Sequence, residues 1–284
     1  MKRFLAKQLR FLRDVLTQVG RHDDLGMAAE IAFVMMFAFL QALLLTVAIL
    51  TLLGVQEDVF NTIVTFLGNF LPYELSVVIR RHIIEIAKSK TGGILVISLI
   101  GTVWTMTTLM FTLKKNFERT YHIQETRGFW KVRLIVFNIA LAATLLMAIS
   151  LVSLLFGLQI ARYVEATLGY QHLLATLIRT FRLPIAFVAV SVVASLLYWA
   201  MINVQERIME VLPGAMFFSV LWFLSTFGFG QYMKNFPYYN AIYGTLGAFV
   251  VLMGWMYLTS LSLLIGGEVN AEIYRRHINR KLVT

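Results

Sequence analysis

Long uncharged, apolar stretches alternate with shorter polar ones along this chain. The longest runs from Asn235 to Gly267 without a single Asp, Glu, Lys or Arg. About 20 helical residues, rising ~1.5 Å each, cross the hydrocarbon core of a bilayer. Six stretches are long enough to do so, which predicts an all-α, polytopic membrane protein with six transmembrane helices. These spans are expected at about 31–54, 92–113, 134–160, 183–203, 212–230 and 244–267.

The segments outside these spans carry amphipathic patterns. In residues 1–30, leucines recur at helical spacing between Lys and Arg, which predicts a cytoplasmic helix. This helix either lies on the membrane surface or packs on the protein's own cytoplasmic face. Residues 59–90 are expected to form re-entrant or interfacial helices, because the apolar part is short and ends at Pro72. Asp23 and Asp24 are expected to cap the first span, and residues 268–284 to form a cytoplasmic tail.

Composition and charge support a membrane protein. Of the 284 residues, 59% are hydrophobic and 14% charged, against roughly 25% charged in soluble domains. The net charge of +10 could indicate nucleic acid, but Lys and Arg concentrate at the termini and in alternate connectors. This bias predicts cytoplasmic N- and C-termini in a bacterial-type inner membrane, with no nucleic-acid partner. Membrane lipids are the expected partners, and a homo-oligomer remains open.

The sequence offers no recognised catalytic motif. The five histidines are scattered singly, and there is no cysteine and no phosphate-binding glycine loop. Carboxylates cluster only at Asp23-Asp24 and at Glu268 with Glu272, which helix ends explain. The expectation is therefore a protein that is not an enzyme, with no catalytic residue, no cofactor and no metal site.

Four polar residues in or beside the spans are candidates for function: Glu30, Gln41, Glu268 and Asn270. One interpretation is a polar vestibule or proton-linked gate, because charges within a bilayer are costly and often functional. The alternative is structural. Glu268 would then pair locally, Glu272 would pair with Arg276 one helical turn later, and Gln41 would hydrogen-bond across helices.

The start of the last span combines aromatic and small residues. Tyr239, Asn240 and Tyr243 could line an outer mouth or belong to an interfacial aromatic belt. Three glycines follow and are expected to allow close helix packing, with a hinge as the alternative: Gly244, Gly247 and Gly254.

Several short motifs carry a family resemblance. They are Pro213-Gly214-Ala215, Tyr239-Asn240, Tyr243-Gly244, Leu246-Gly247, Trp255, Tyr257 and Gly266-Gly267-Glu268 followed by Asn270. With the acidic-then-alanine opening at 23–29, the chain resembles the YihY/BrkB family of inner-membrane proteins, formerly labelled ribonuclease BN. Gln41 departs from that family, whose members usually have a proline there. The resemblance implies about six helices and a role in envelope integrity, with lipids or other solutes as suspected cargo.

Three functions follow from these patterns. A transporter or flippase of a lipid or amphiphilic solute is favoured, because amphipathic helices flank the spans and segment 59–73 could line a lateral opening. A non-catalytic envelope-integrity scaffold is the alternative. A ribonuclease is the least supported, since no metal-binding motif is present.

Overall fold

The computed structural model describes residues 2–52, 92–123, 125–141, 173–203, 208–234 and 239–283. These residues form helices and connectors, and none of them is in a β-strand, which confirms the predicted all-α class. Seven helices are seen: α1 Lys2–Arg21, α2 Asp24–Leu52, α3 Gly92–Tyr121, α4 129–141, α5 Leu173–Met201, α6 Ile208–Lys234 and α7 Tyr239–Val283.

Four of these helices are long and apolar enough to cross a membrane. Their candidate spans are Asp24–Thr46, Leu95–Tyr121, Ile208–Tyr232 and Phe249–Ile278, and α5 adds a shorter apolar part, Phe187–Met201. They correspond to the first, second, fifth and sixth predicted spans. Of the predicted third span only the part up to residue 141 is described, and the predicted helices at 59–90 lie outside the described residues.

The helix boundaries differ from the predicted ones where charged side chains continue a helix. The helix α2 begins at Asp24 rather than near residue 31, and α3 continues past 113 to Tyr121. The helix α7 is unbroken for 45 residues, about 68 Å at ~1.5 Å per residue, so the expected tail from 268 is helical. Ion pairs between residues one helical turn apart favour the extensions of α3 and α7: Lys114–Glu118 in α3 and Glu272–Arg276 in α7.

The helix α7 lies at the centre of the packing. It contacts α6 and α2 extensively, α2 also packs on α3, and α5 packs on α6. Small residues on α2, among them Ala28 and Ala38, are fully buried and permit this close approach. Large apolar side chains such as Trp104 and Phe227 remain exposed, as expected of surfaces that contact lipid.

The N-terminal helix packs on the protein through its second half. Val15 is buried, the Arg276 guanidinium stacks 4.9 Å above the Phe11 ring, and Arg276 pairs with Asp14 at 2.7 Å. Leu16 stays exposed. For residues 10–21 these contacts correspond to the packing part of the second sequence interpretation, a helix packed on the protein itself.

Candidate functional site

The turn between α1 and α2 carries three polar side chains, His22, Asp23 and Asp24, with different roles. Asp23 adopts a positive φ of 57°, and its Oδ1 accepts a hydrogen bond from the Gly26 N–H at 3.3 Å, which caps α2 as predicted. Asp24 does not cap. Its side chain is fully buried, and neither carboxylate oxygen has a hydrogen-bond partner within the described part of the chain. Such a buried, unpaired carboxylate requires a proton or a cation.

His22 bridges this turn to α7 and to the end of α3. Its Nδ1 is in hydrogen-bonding contact with Oε1 of Glu268, and its Nε2 lies 2.8 Å from Nε2 of His122. Burial lowers the pKa of His22, and the positive charges of Arg275 and Arg21 lower it further. The pKa of His122 is also lowered, by burial and by the neighbouring His22 and Arg275. Both imidazoles therefore favour their neutral forms.

Glu268 is a fully buried carboxylate in α7 with different partners on its two oxygens. Oε1 faces His22, and Oε2 lies 3.4 Å from Nη2 of Arg275. Arg275 also donates to Glu272 and to the main-chain oxygen of Thr120, each at 3.3 Å. Glu272 pairs with Arg276 at 2.6 Å, which confirms the predicted i,i+4 pair. One arginine thus holds one side of Glu268 while the other side faces the imidazole.

The ligand atoms of His22, Asp24 and Glu268 all lie within 4.8 Å of one another. We call these three residues the His22–Asp24–Glu268 cluster. It combines one imidazole nitrogen with two buried carboxylates, and Arg275 neutralises only the far side of Glu268. Chemically, such a set can hold a proton or coordinate a cation.

Asn270 belongs to a different contact, the crossing of α7 with α6. Its Oδ1 accepts from the Gly214 N–H at 2.7 Å, and its Nδ2 donates to the Val211 carbonyl at 2.8 Å. A Cβ on Gly214 would lie 2.2 Å from the Gly266 carbonyl oxygen, so the two backbones touch. The Pro-Gly and Gly-Gly-Glu-x-Asn motifs therefore meet in a close helix crossing.

Glu30 and Gln41 contact α3. Glu30 is partly exposed and pairs with Lys115 at 2.8 Å. The Gln41 side chain packs where a Cβ of Gly101 would lie, and the Gln41 carbonyl accepts from the Thr102 hydroxyl at 2.9 Å. The four residues predicted for a vestibule therefore make four separate sets of contacts, and only Glu268 belongs to the cluster.

The aromatic residues and glycines predicted to form an outer mouth or a packing face lie in the first turns of α7. The side-chain surroundings of Tyr239, Asn240, Tyr243, Gly244 and Gly247 lie outside the described part of the structure. At Gly254 a Cβ would be 3.6 Å from the Phe229 ring, an ordinary contact between α6 and α7. That contact fits the packing interpretation of this glycine.

A groove between α3 and α4 is a second feature that sequence reasoning missed. It has a volume of about 670 Å³ and mainly apolar walls, including Leu99, Val103, Trp104, Trp130 and Phe137. Arg133 also lines it, with its guanidinium 5.0 Å from the centre of the Phe111 ring. A single cation in an apolar groove suits a molecule with an anionic end and a hydrocarbon body.

Sequence reasoning missed His22 in the cluster, and His122 and Arg275 beside it. His22 is separated from Glu268 by 246 residues, so no local spacing reveals the contact. The positions of the two histidines in the sequence were a weak indication of this contact. His22 precedes the acidic pair, and His122 follows the end of α3. Both therefore lie at helix ends that could meet.

Comparison with known proteins places this chain among membrane proteins. Residues 15–282 match the family model described as Virulence factor BrkB. The ribonuclease-like protein YfkH of Bacillus subtilis is 25% identical over 270 residues, covering 94% of this chain and 96% of that protein. A UPF0761 membrane protein of Alkalilimnicola ehrlichii is 24% identical, covering 91% of this chain and 55% of the relative. One of Chromohalobacter salexigens is 24% identical, covering 97% and 66%.

The relatives differ in length. This chain spans nearly all of YfkH but only about 55 to 66% of these two UPF0761 proteins. No solved structure matches the chain.

Proposed function

The chain belongs to the Virulence factor BrkB family of membrane proteins, and we propose that it is an inner-membrane transporter or flippase for a lipid or amphiphilic solute. The observation that carries this proposal is the groove between α3 and α4, with apolar walls and one arginine. An amphiphile needs both surfaces at once, one for its hydrocarbon chain and one for its headgroup.

The threonines in the walls of the groove do not offer free polar groups to a ligand, because their hydroxyls are hydrogen-bonded to their own helix. The hydroxyl of Thr107 donates to the Val103 carbonyl at 2.6 Å, and that of Thr108 to the Trp104 carbonyl at 3.0 Å. Their hydrogen-bonding capacity is thereby used within the helix. These residues add little polarity to a surface that otherwise suits an acyl chain.

Arg133 supplies the recognition of charge. It stacks near Phe111 and Phe129, at 5.0 Å and 5.9 Å from the ring centres, and its side chain is exposed. A guanidinium can bind a phosphate through two parallel hydrogen bonds while its flat face remains stacked. The proposed cargo is therefore an anionic lipid or a similar amphiphile.

The proposed topology has six spans with both termini in the cytoplasm, as the distribution of Lys and Arg favours. In that arrangement Arg133 lies at the cytoplasmic interface, beside the connector between α3 and α4. We further propose that the protein catalyses no reaction and moves its cargo downhill.

Lipid translocation in liposomes tests this function. Purified protein is reconstituted, and fluorescent phosphatidylglycerol and phosphatidylcholine are followed between leaflets by a quencher added outside. Wild type should accelerate translocation, with a preference for the anionic lipid that Arg133→Gln removes. Lys131→Gln, an exposed basic residue of the same helix, is the matched control. Absence of acceleration by monodisperse, correctly inserted wild type would contradict the proposal.

A scaffold in the envelope is the alternative function. It predicts no translocation of either lipid, so the same liposomes decide between the two. The ribonuclease interpretation is kept only because the relative YfkH carries that name. Incubating labelled RNA with the purified protein tests it, and cleavage would have to disappear in Glu268→Gln to be assigned to this chain.

A further inference from the structure

Two buried carboxylates meet without enough positive charge between them. Asp24 and Glu268 are both fully buried, and with His22 their ligand atoms lie within 4.8 Å of one another. Arg275 reaches Oε2 of Glu268, but Asp24 has no hydrogen-bond partner among the residues the structure describes. Ionised carboxylates in this position need a counter-charge.

The two histidines restrict where protons can be. The 2.8 Å contact between Nε2 of His22 and Nε2 of His122 requires a hydrogen on one of these nitrogens. If His22 carries it and is neutral, its Nδ1 has a lone pair directed at Oε1 of Glu268. Two acceptors then face each other, and a cation bound by both, with the side chains moved apart, resolves the conflict.

We propose that His22, Asp24 and Glu268 bind a divalent transition-metal ion, Zn²⁺ or Mn²⁺, with His122 as the hydrogen-bond partner of the ligating imidazole. A metal-bound histidine commonly donates its other ring N–H to a neighbour, as His22 can to His122. The site joins the turn before α2 to α7, so the ion fastens the N-terminal segment to the last helix.

The ligand set selects the class of ion. One imidazole and two carboxylates suit Zn²⁺ and Mn²⁺, whereas Mg²⁺ and Ca²⁺ prefer oxygen ligands throughout. Ligands of one such ion bind at about 2.0–2.2 Å and therefore lie roughly 3 to 4.4 Å apart. The ligand atoms lie within 4.8 Å of one another, but Nδ1 of His22 and Oε1 of Glu268 are at hydrogen-bonding distance, so these two side chains must move apart by side-chain rotation to bind one ion together.

The competing explanation is a shared proton. In that case Asp24 is protonated, His22 donates from Nδ1 to Glu268, and no metal binds. The two explanations differ in a measurable way, because only the first makes the protein bind and respond to metal.

The experiment uses the full-length, tag-free protein in detergent, stripped with a chelator and dialysed against micromolar Zn²⁺ or Mn²⁺. Bound metal is quantified by mass spectrometry, and thermal unfolding is recorded with and without the ion. Wild type should retain about one ion per chain and unfold at a higher temperature when loaded. Asp24→Asn and Glu268→Gln should lower the affinity by about tenfold or more.

Glu30→Gln is the matched control, since Glu30 is a carboxylate on the same helix as Asp24 but pairs with Lys115. It should bind metal as wild type does. Asp24→Asn removes a buried charge without changing size, so its metal-free form should unfold no earlier than wild type. Wild type that retains neither ion, or an Asp24→Asn variant that binds like wild type, would overturn the proposal. Because no lipid is involved, this result is independent of the translocation assay.

Discussion

The side chain of Asn270 in α7 holds the main chain of α6 at Gly214. Its Oδ1 accepts from the Gly214 N–H and its Nδ2 donates to the Val211 carbonyl, on either side of Pro213. Proline lacks an N–H and disturbs the helical hydrogen bonds around it. One buried amide thus links two helices at the position where Pro213 interrupts the hydrogen bonding of α6.

The absence of a side chain at Gly214 should be essential for this crossing. In Gly214→Ala the new Cβ would meet the Gly266 carbonyl oxygen at 2.2 Å, a backbone atom that cannot rotate away. We expect a loss of about 1–3 kcal/mol in the free energy of unfolding.

Gly228→Ala is the control on the same helix, because a Cβ there meets nothing within 4 Å. It should be neutral or stabilising by up to ~1 kcal/mol. Tryptophan fluorescence during unfolding in mixed detergent measures both, and equal losses would contradict this account.

Removing the Asn270 amide should also destabilise the crossing. Asn270→Ala leaves two main-chain groups of α6 without their side-chain partner in a buried place, which costs roughly 1–3 kcal/mol. Asn138→Ala is the comparison. Asn138 is exposed and its Nδ2 donates to the Leu134 carbonyl of its own helix at 2.8 Å. Unfolding in the same detergent system should separate the variants, and the account fails if Asn138→Ala is the more damaging change.

Apolar runs made much of this architecture predictable. Six apolar stretches were predicted to span the membrane, and four of them correspond to described helices that are long and apolar enough to do so. The motifs Pro213-Gly214 and Gly266-Gly267 also stood out in the sequence, and the structure shows that Gly214 and Gly266 face each other in one close crossing. Helix ends were less predictable, because ion pairs such as Glu272–Arg276 extend helices beyond their apolar parts.

The sites were not predictable in the same way. His22 and Glu268 are 246 residues apart, and their contact depends on how the turn after α1 packs against α7. A single sequence contains no periodicity that encodes such a pairing. The groove likewise depends on how α3 and α4 pack, so nothing in the sequence distinguishes Arg133 from the other basic residues of a connector predicted to be cytoplasmic.

Filling the groove should block translocation without unfolding the protein. Val103 lines it, so Val103→Trp should reduce lipid movement to the rate of protein-free liposomes if cargo passes there. Ile97→Trp is the matched variant, because Ile97 is 74% exposed on the same helix and does not line the groove. It should translocate lipid like wild type. Equal rates for the two variants, both correctly inserted, would show that the groove is not the route.

Acid should loosen the connector between α3 and α4 through Glu125. Its carboxylate accepts from the Arg127 main chain at 2.8 Å, from the Arg127 guanidinium at 2.9 Å, and pairs with Lys114 at 2.7 Å. Burial alone would raise the pKa of Glu125, but these hydrogen bonds and charges hold it at about 2. Since the unfolded pKa is 4.5, the folded state gains stability above pH 4.5 and loses it as the pH falls toward 2. The upper limit of this gain is about 3 kcal/mol.

Unfolding measured from pH 6 to pH 3 should show this loss in wild type and a weaker one in Glu125→Gln. Asp14→Asn, at a carboxylate outside this network, should retain the wild-type loss. A Glu125→Gln variant as acid-sensitive as wild type would rule out Glu125 as its source.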